Sequence, residues 1–407
     1  MALQISATNP EHPALLLELP WQVPLEEWPE DLLVPLPRGI SRHIVRYARA
    51  GDEVIAVKEL AQRPALREYE LLRDLDRLGI PAVDPLAVVT GRTDAAGDPL
   101  ESVLVTRHLG GSQPYRSMFE TTMRPATMHR LMDALAVLLV RLHLAGFAWG
   151  DCSLSNTLFR RDAGAYAAYL VDAETGELHQ RLSDGQRDYD LDLARVNISG
   201  ELLDLEASGA LHPSVDPIEF GAEICARYRS LWEELTRTSV YPAGKYHYIE
   251  RRIRRLNDLG FDVAEMQIGQ TGDGASVTFV PKVVDAGHHQ RQLLRLTGLD
   301  AEENQARRLL NDLESWMATQ DDLADGARPE VLAHRWVRDV FRPTVRAVPP
   351  ELRGAMDPAE IYHELLEHRW YLSERAQRDM DWDTVVEDYI TTILPKARET
   401  LQPTTAD

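Results

Sequence analysis

Residues 146–159 read GFAWGDCSLSNTLF, and the spacing inside this stretch decides how the chain is read. Asp151 stands directly after Gly150, and Asn156 follows five places later. Upstream, TMHRLMDALAVLLVRLHLAG has the length and apolar content of a buried helix stopped by Gly146. Downstream, NTLFRRDAGAYAAYLVDAE reads as strand, turn and strand, with Asp172 at the end of the second strand. An acid and an amide so placed fit two descriptions. Asp and Asn are turn formers that bond nearby backbone. They are also the groups that steer an acceptor hydroxyl and hold a divalent cation beside a phosphate.

Phosphoryl transfer needs further parts from elsewhere in the chain: a cation on the phosphates and an acid to hold that cation in place. ISRHIVRYARAGDEVIAVKEL (40–60) alternates, is rich in Val and Ile, and turns at AGDE, so it predicts a β-hairpin that carries Lys58 near its end. Lysine is rare here: of 44 basic residues only Lys58, Lys245, Lys282 and Lys396 are lysines. PALREYELLRDLDRLGI then sets Leu66, Tyr69, Leu72, Leu75 and Leu78 at helical spacing, with Gly79 as the stop. That helix offers Glu68 and Glu70 to the lysine. Glu68 is favoured because it comes earlier and faces back toward the strand. AVDPLAVVTGR and LESVLVTRHL predict two more strands. Singly, each of Lys58, Asp151, Asn156 and Asp172 has an ordinary structural explanation. Their order and separations together point to a phosphotransferase site, with Asp151 steering the acceptor and Asn156 and Asp172 holding metal.

This order of strand lysine, helix glutamate, Asp-x4-Asn and strand aspartate resembles the protein-kinase-like superfamily. RLHLAGFAWGDCSLSNTLF resembles the catalytic loop of its small bacterial members: lipopolysaccharide Kdo/heptose kinases, RIO kinases, and aminoglycoside or choline phosphotransferases. REYELLRDLDRLGIPAVDP is similar to their helix C and the strand after it. The whole chain resembles actinobacterial lipopolysaccharide-kinase-like proteins that end in a domain of unknown function. The resemblance implies ATP and Mg²⁺ as cofactors. It implies Lys58, Glu68 and Asp151 as the catalytic set, and Glu174 as a further metal ligand beside Asn156 and Asp172. In PRGISRHIV, Gly39 and Ser41 would cover phosphate, and VTRHLGG (105–111) would hold adenine through its backbone. The sequence departs from the pattern in two places. Trp149 replaces the usual histidine, and the metal motif reads Asp172-Ala173-Glu174 instead of Asp-Phe-Gly.

The expected fold is α+β: a two-lobed, protein-kinase-like fold with an antiparallel-sheet N-lobe, a helical C-lobe and an additional, mainly helical C-terminal domain. The expected divisions are an N-terminal arm at 1–36, the N-lobe at 37–110, the C-lobe at 111–235 and the last domain at 236–407, with a β-hairpin near 261–282. A length of 407 residues suits two or three domains. The net charge of −21 argues against nucleic acid as a partner. Two cysteines suit a reducing compartment, no apolar run is long enough to span a membrane, and the N-terminus lacks a signal pattern, so the expected location is cytoplasmic.

The expected partners are a nucleotide and a small polar or sugar-like acceptor, with a protein acceptor or partner left open. The competing reading is a pseudokinase or nucleotide-sensing scaffold that acts through the C-terminal domain. HELLEH (363–368) does not read as a metal motif, because His363 and His368 are five apart and diverge on a helix. HHQ (288–290) reads as a helix start. ERRIRRL (250–256) reads as a solvated face or an anion-binding one.

Overall fold

The computed structural model describes residues 3–8, 16–36, 43–51, 53–119, 125–237, 239–242, 251, 261–266, 269–270, 276–279, 281–320, 328–353, 356–376, 378 and 380–393. Gly39 and Ser41 lie outside these residues, as does nearly all of ERRIRRL. Two compact units divide the chain: Met1–Arg160 with Ala168–Leu231, and Arg161–Ala167 with Trp232–Asp407.

The first unit begins with a five-stranded antiparallel sheet. Its strands are β1 (Gln4–Ala7), β2 (Ile44–Ala50), β3 (Glu53–Leu60), β4 (Pro85–Thr90) and β5 (Ser102–Arg107), in the order β1-β4-β5-β3-β2. Lys58 on β3 sits opposite Val45 of β2 and Leu104 of β5. Side chains alternate faces along a strand. Ile55 and Val57 therefore enter the core, and Lys58 is presented on the other face. Helix α1 (Gln62–Arg77) follows and buries Ala65, Glu68, Tyr69, Leu72 and Leu75 on one stripe. Leu66 and Leu78 fall outside that stripe and are exposed. Glu68 is fully buried, a position that demands a partner for its charge.

The N-terminal segment is not an arm outside the core. Gln4–Ala7 forms the edge strand against β4, and Leu16, Leu19, Trp21, Leu25 and Trp28 pack into the core of the sheet. Each such burial contributes roughly 1.5–3 kcal/mol. The prolines at 20, 24 and 29 break any helical or strand period, which is why the apolar content read as an extended arm. Arg92 fixes the segment from beneath. Its buried guanidinium donates to Trp21 O (3.0 Å), Val23 O (2.7 Å) and Glu101 O (2.8 Å) and pairs with Glu59 (2.6 Å).

The rest of the first unit is mostly helical. Helix α2 (Pro125–Leu144) is followed by the short strand β6 (Phe147–Ala148). The hairpin β7 (Thr157–Asp162) and β8 (Ala165–Leu170) comes next, its tip Arg161–Ala167 counted with the second unit, then α3 (Asp184–Ala207) and α4 (Pro217–Thr236), which belongs to the first unit as far as Leu231. A capping box starts α3, with Ser183 accepting from the Gln186 amide and the Gln186 side chain returning to Ser183. Among the described residues, no helix is long and apolar enough to cross a membrane.

In the second unit Phe261–Met266 pairs antiparallel with Pro281–Ala286, and Gly269–Gln270 with Ser276–Phe279, where the sequence predicts a hairpin. Helices then dominate: α5 (His288–Thr297), α6 (Glu303–Met317), α7 (Pro329–Trp336), α8 (Arg342–Ala347), α9 (Pro358–Ala376) and α10 (Trp382–Asp388). Gly298, at φ 71°, closes α5. Leu309, Trp336, Tyr362, Leu365 and Tyr389 lie in the core of this unit. Asp162 is buried here, accepting from Asn304 Nδ2 (2.8 Å) and Gln305 N (2.8 Å). Burial pushes its carboxyl up to about 6, against the pull of those hydrogen bonds.

Candidate active site

Within the first unit, a cleft of about 890 Å³ is lined by Lys58, Asp151, Asn156, Asp172, Asn197 and Glu201, with β2 along one side. Lys58 Nζ bonds Glu68 Oε2 at 2.9 Å and Asp172 Oδ2 at 2.8 Å, and stands 4.0 Å from Glu174 Oε2. Glu68 is thus the partner; Glu70 is exposed. Carboxylate oxygens of Glu68, Asp172 and Glu174 lie within 4.8 Å of one another. Three acids around one ammonium leave an excess of negative charge. Burial and the neighbouring Asp172 raise Glu68 to about 7, against the pull of Lys58. Burial works against the charge on Lys58, yet Glu68 and Asp172 outweigh it and raise its ammonium above the usual lysine value. His43 Nε2 lies 3.1 Å from Glu174 Oε2.

Asp151 and Asn156 form the opposite side of the site. Asn156 Nδ2 donates to Asp151 O (3.0 Å) and Oδ2 (3.1 Å), and Asn197 Nδ2 donates to Asp151 Oδ1 (3.0 Å). Among the described residues Asn156 Oδ1 accepts no hydrogen bond, so the side chain keeps an oxygen for a cation. Gly150, at φ 76°, turns the chain just before Asp151, and a Cβ there would meet Thr175 O at 3.3 Å.

Asp190 holds this loop. Its Oδ1 accepts from Gly150 N (2.7 Å), and its Oδ2 from Trp149 N (2.8 Å) and His143 Nε2 (3.0 Å). His143 Nδ1 lies 2.7 Å from the Tyr228 hydroxyl. Burial opposes the charge on Asp190, but these donors hold its carboxyl below the usual range. Glu201 accepts from Leu154 N at 2.6 Å and from the Ser155 amide and hydroxyl. Burial raises its carboxyl, and nearby Asp151 adds to the rise.

Trp149 is fully buried, and its Nε1 donates to Asp172 O at 2.8 Å. Its own carbonyl accepts from Thr175 Oγ1 at 2.9 Å. Trp149 therefore ties the Asp151 loop to the strand end that carries Asp172.

The structure brings together Lys58, Glu68, Asp151, Asn156, Asp172 and Glu174. In the stretch 105–111, the amides of Arg107 and His108 donate to Asp84 O (2.8 Å) and Val54 O (3.0 Å). Sequence reasoning missed Asp190, Asn197 and Glu201. They sit at i, i+7 and i+11 on α3, one face of a helix, so the signal was a polar stripe within YDLDLARVNISGELLDLE. Of the histidines in HELLEH and HHQ, His363 is buried, His368 bonds Asp388 (2.7 Å), and His289 bonds Glu303 (2.6 Å) at the start of α5.

Residues 52–209 match the model of the lipopolysaccharide kinase (Kdo/WaaP) family. Residues 230–394 match a domain of unknown function, DUF4032. No curated protein matches the chain. A solved structure described as WaaP in complex with acyl carrier protein is similar at 15% identity, covering 63% of this chain and 99% of its own, with a TM-score of 0.38.

Proposed function

We propose that this chain, a kinase-like phosphotransferase by its lipopolysaccharide-kinase match at 52–209, uses ATP and Mg²⁺ to phosphorylate a hydroxyl of a small polar or sugar-like acceptor. The observation that carries the reading is Lys58 bridging Glu68 and Asp172 in the cleft that also holds Asp151 and Asn156. Oxygen donors are what Mg²⁺ takes; Asp172 and Glu174 belong to one cluster of carboxylates, and Asn156 lines the same cleft as Asp172. The ion would neutralise charge on the phosphates. Lys58 would exchange its bond to Asp172 for the nucleotide phosphates, while Glu68 keeps its stem aimed. Asp151, oriented by Asn156 and Asn197, would accept the proton of the acceptor hydroxyl. Asp190 and Glu201 anchor the loop backbone on either side of Asp151, which would help hold its carboxylate in place for the acceptor.

Calorimetry of ATP binding with and without Mg²⁺ tests the nucleotide half of the proposal. Metal-dependent binding that is lost in Lys58→Ala and Asp172→Ala supports it. A wild type that does not bind Mg-ATP refutes it and favours the scaffold reading. Mass spectrometry of acceptor products tests the chemistry, since phosphate and AMP add different masses.

A further inference from the structure

A second cavity, of about 700 Å³, lies wholly inside the second unit. Its volume is within the range of small-molecule sites. We propose that it binds a neutral, polyhydroxylated ligand of mono- or disaccharide size.

Four helical stretches converge on it. Asp312, Ser315, Trp316 and Thr319 repeat at i, i+3, i+4 and i+7 along α6 and just beyond its end, so they share one face. Tyr362 and Arg369 do the same on α9, and α10 contributes Trp382. The fourth wall starts in a π-helical turn, Val337–Phe341, where Arg342 N bonds Val337 O. Such turns occur frequently at functional sites. This one brings Asp339 and Val340 to the rim.

The polar groups are aimed and only half used. Both hydrogen bonds to Asp312 fall on one oxygen: Oδ2 accepts from the Tyr362 hydroxyl (2.7 Å) and Trp336 Nε1 (3.0 Å). Oδ1 is left as an acceptor among the described residues. Arg369 donates from Nε to Met380 O (3.0 Å) and lies 4.9 Å over the Trp382 ring. Its two terminal nitrogens have no hydrogen bond among the described residues. The indole of Trp316 stacks on no other ring there.

This inventory selects the ligand class. Asp312 and Arg369 offset each other, Asp339 is paired with Arg338 (2.6 Å), and Asp383 stands exposed at the edge. A free anion would meet the carboxylates, and a free cation would meet the guanidinium. A hydroxylated ring suits both groups. Its hydroxyls donate to Asp312 Oδ1 and accept from Arg369, while its C–H face lies on Trp316.

The test uses the full chain. Tryptophan fluorescence and calorimetry are run with glucose, mannose, maltose and trehalose, and with choline, spermidine, arginine and glutamate as charged comparators. The expected result is saturable binding of at least one sugar. Trp316→Ala and Arg369→Met should each weaken it tenfold or more while melting close to wild type. If either unfolds, Trp316→Phe and Asp312→Asn take their place, with the same loss expected. Three results would overturn the proposal: no sugar binding up to about 50 mM, sugar binding that survives the substitutions, or tighter binding of a charged comparator than of any sugar.

Discussion

Asp190→Ala removes the acceptor for three donors at once: the amides of Trp149 and Gly150 and the ring of His143. The site is 2% exposed, so water does not replace the lost carboxylate. The Trp149 and His143 donors are buried, and each left unsatisfied costs about 1–3 kcal/mol, while water reaches the amide of the exposed Gly150, so the sum is roughly 2–6 kcal/mol. In a unit of this size, each kcal/mol lowers the melting temperature by about 2–4 °C, so a drop of at least about 4 °C is expected. The loop that presents Asp151 loses its anchor as well. A displacement of about 1 Å is enough to cut turnover on the order of 100-fold. Mg-ATP binding, proposed here to rest on Lys58 and Asp172, should fall far less. The depressed Asp190 carboxyl adds a pH signature. Its stabilising contribution is present above the unfolded pKa and is lost as pH falls through the folded one. Asp190→Asn should therefore flatten the acid side of the stability profile. Thermal melts across pH and ATP turnover supply the readouts. An Asp190→Ala chain that melts within about 2 °C of wild type and turns over normally would refute the clamp.

Four further outcomes are expected. Lys58→Ala should abolish measurable Mg-ATP binding by calorimetry, while Glu70→Ala, at an exposed position, should leave it unchanged. Gly176→Ala would put a methyl 2.2 Å from the buried Phe147 ring and should cost about 1–3 kcal/mol in a denaturant melt. Trp149→Phe keeps an aromatic ring but loses the bond to Asp172 O, so roughly 1 kcal/mol of stability should go, read by the same melt. Asp162 has a folded pKa of about 6 against an ordinary 3.8, so its folded form holds the proton longer. Its contribution is present below the unfolded value and lost as pH rises from about 4 through 6. Melts of wild type against Asp162→Asn should show wild type losing ground across that window.

The parts of the first unit legible in the sequence were those with a period. Alternation gave the β2–β3 hairpin with Lys58 near its end, and helical spacing gave α1, on which Glu68 was favoured for its early place facing the strand. The Asp151–Asn156 spacing was local, so the two residues could be paired without knowing the fold. What stayed hidden depends on distance along the chain. Asp190 reaches Gly150 across 40 residues, and the polar stripe on α3 does not by itself say which loop it faces. The N-terminal segment hid for another reason. Its packing against the sheet rests on Arg92, 71 residues from Trp21, while its prolines erase every periodic cue. The expected adenine stretch at 105–111 rested on backbone groups, which carry no side-chain signal, and its amides at 107 and 108 are taken by neighbouring backbone.

The environment of Lys58 also governs its reactivity toward reagents. An amine acylates only as the free base, and the carboxylates beside Lys58 keep its proton on. In a chain with four lysines, an amine-reactive label should therefore spare position 58 while the salt bridges hold. Asp172→Asn would weaken that protection, and peptide mapping would then find the label at a nitrogen that the intact cleft keeps chemically silent.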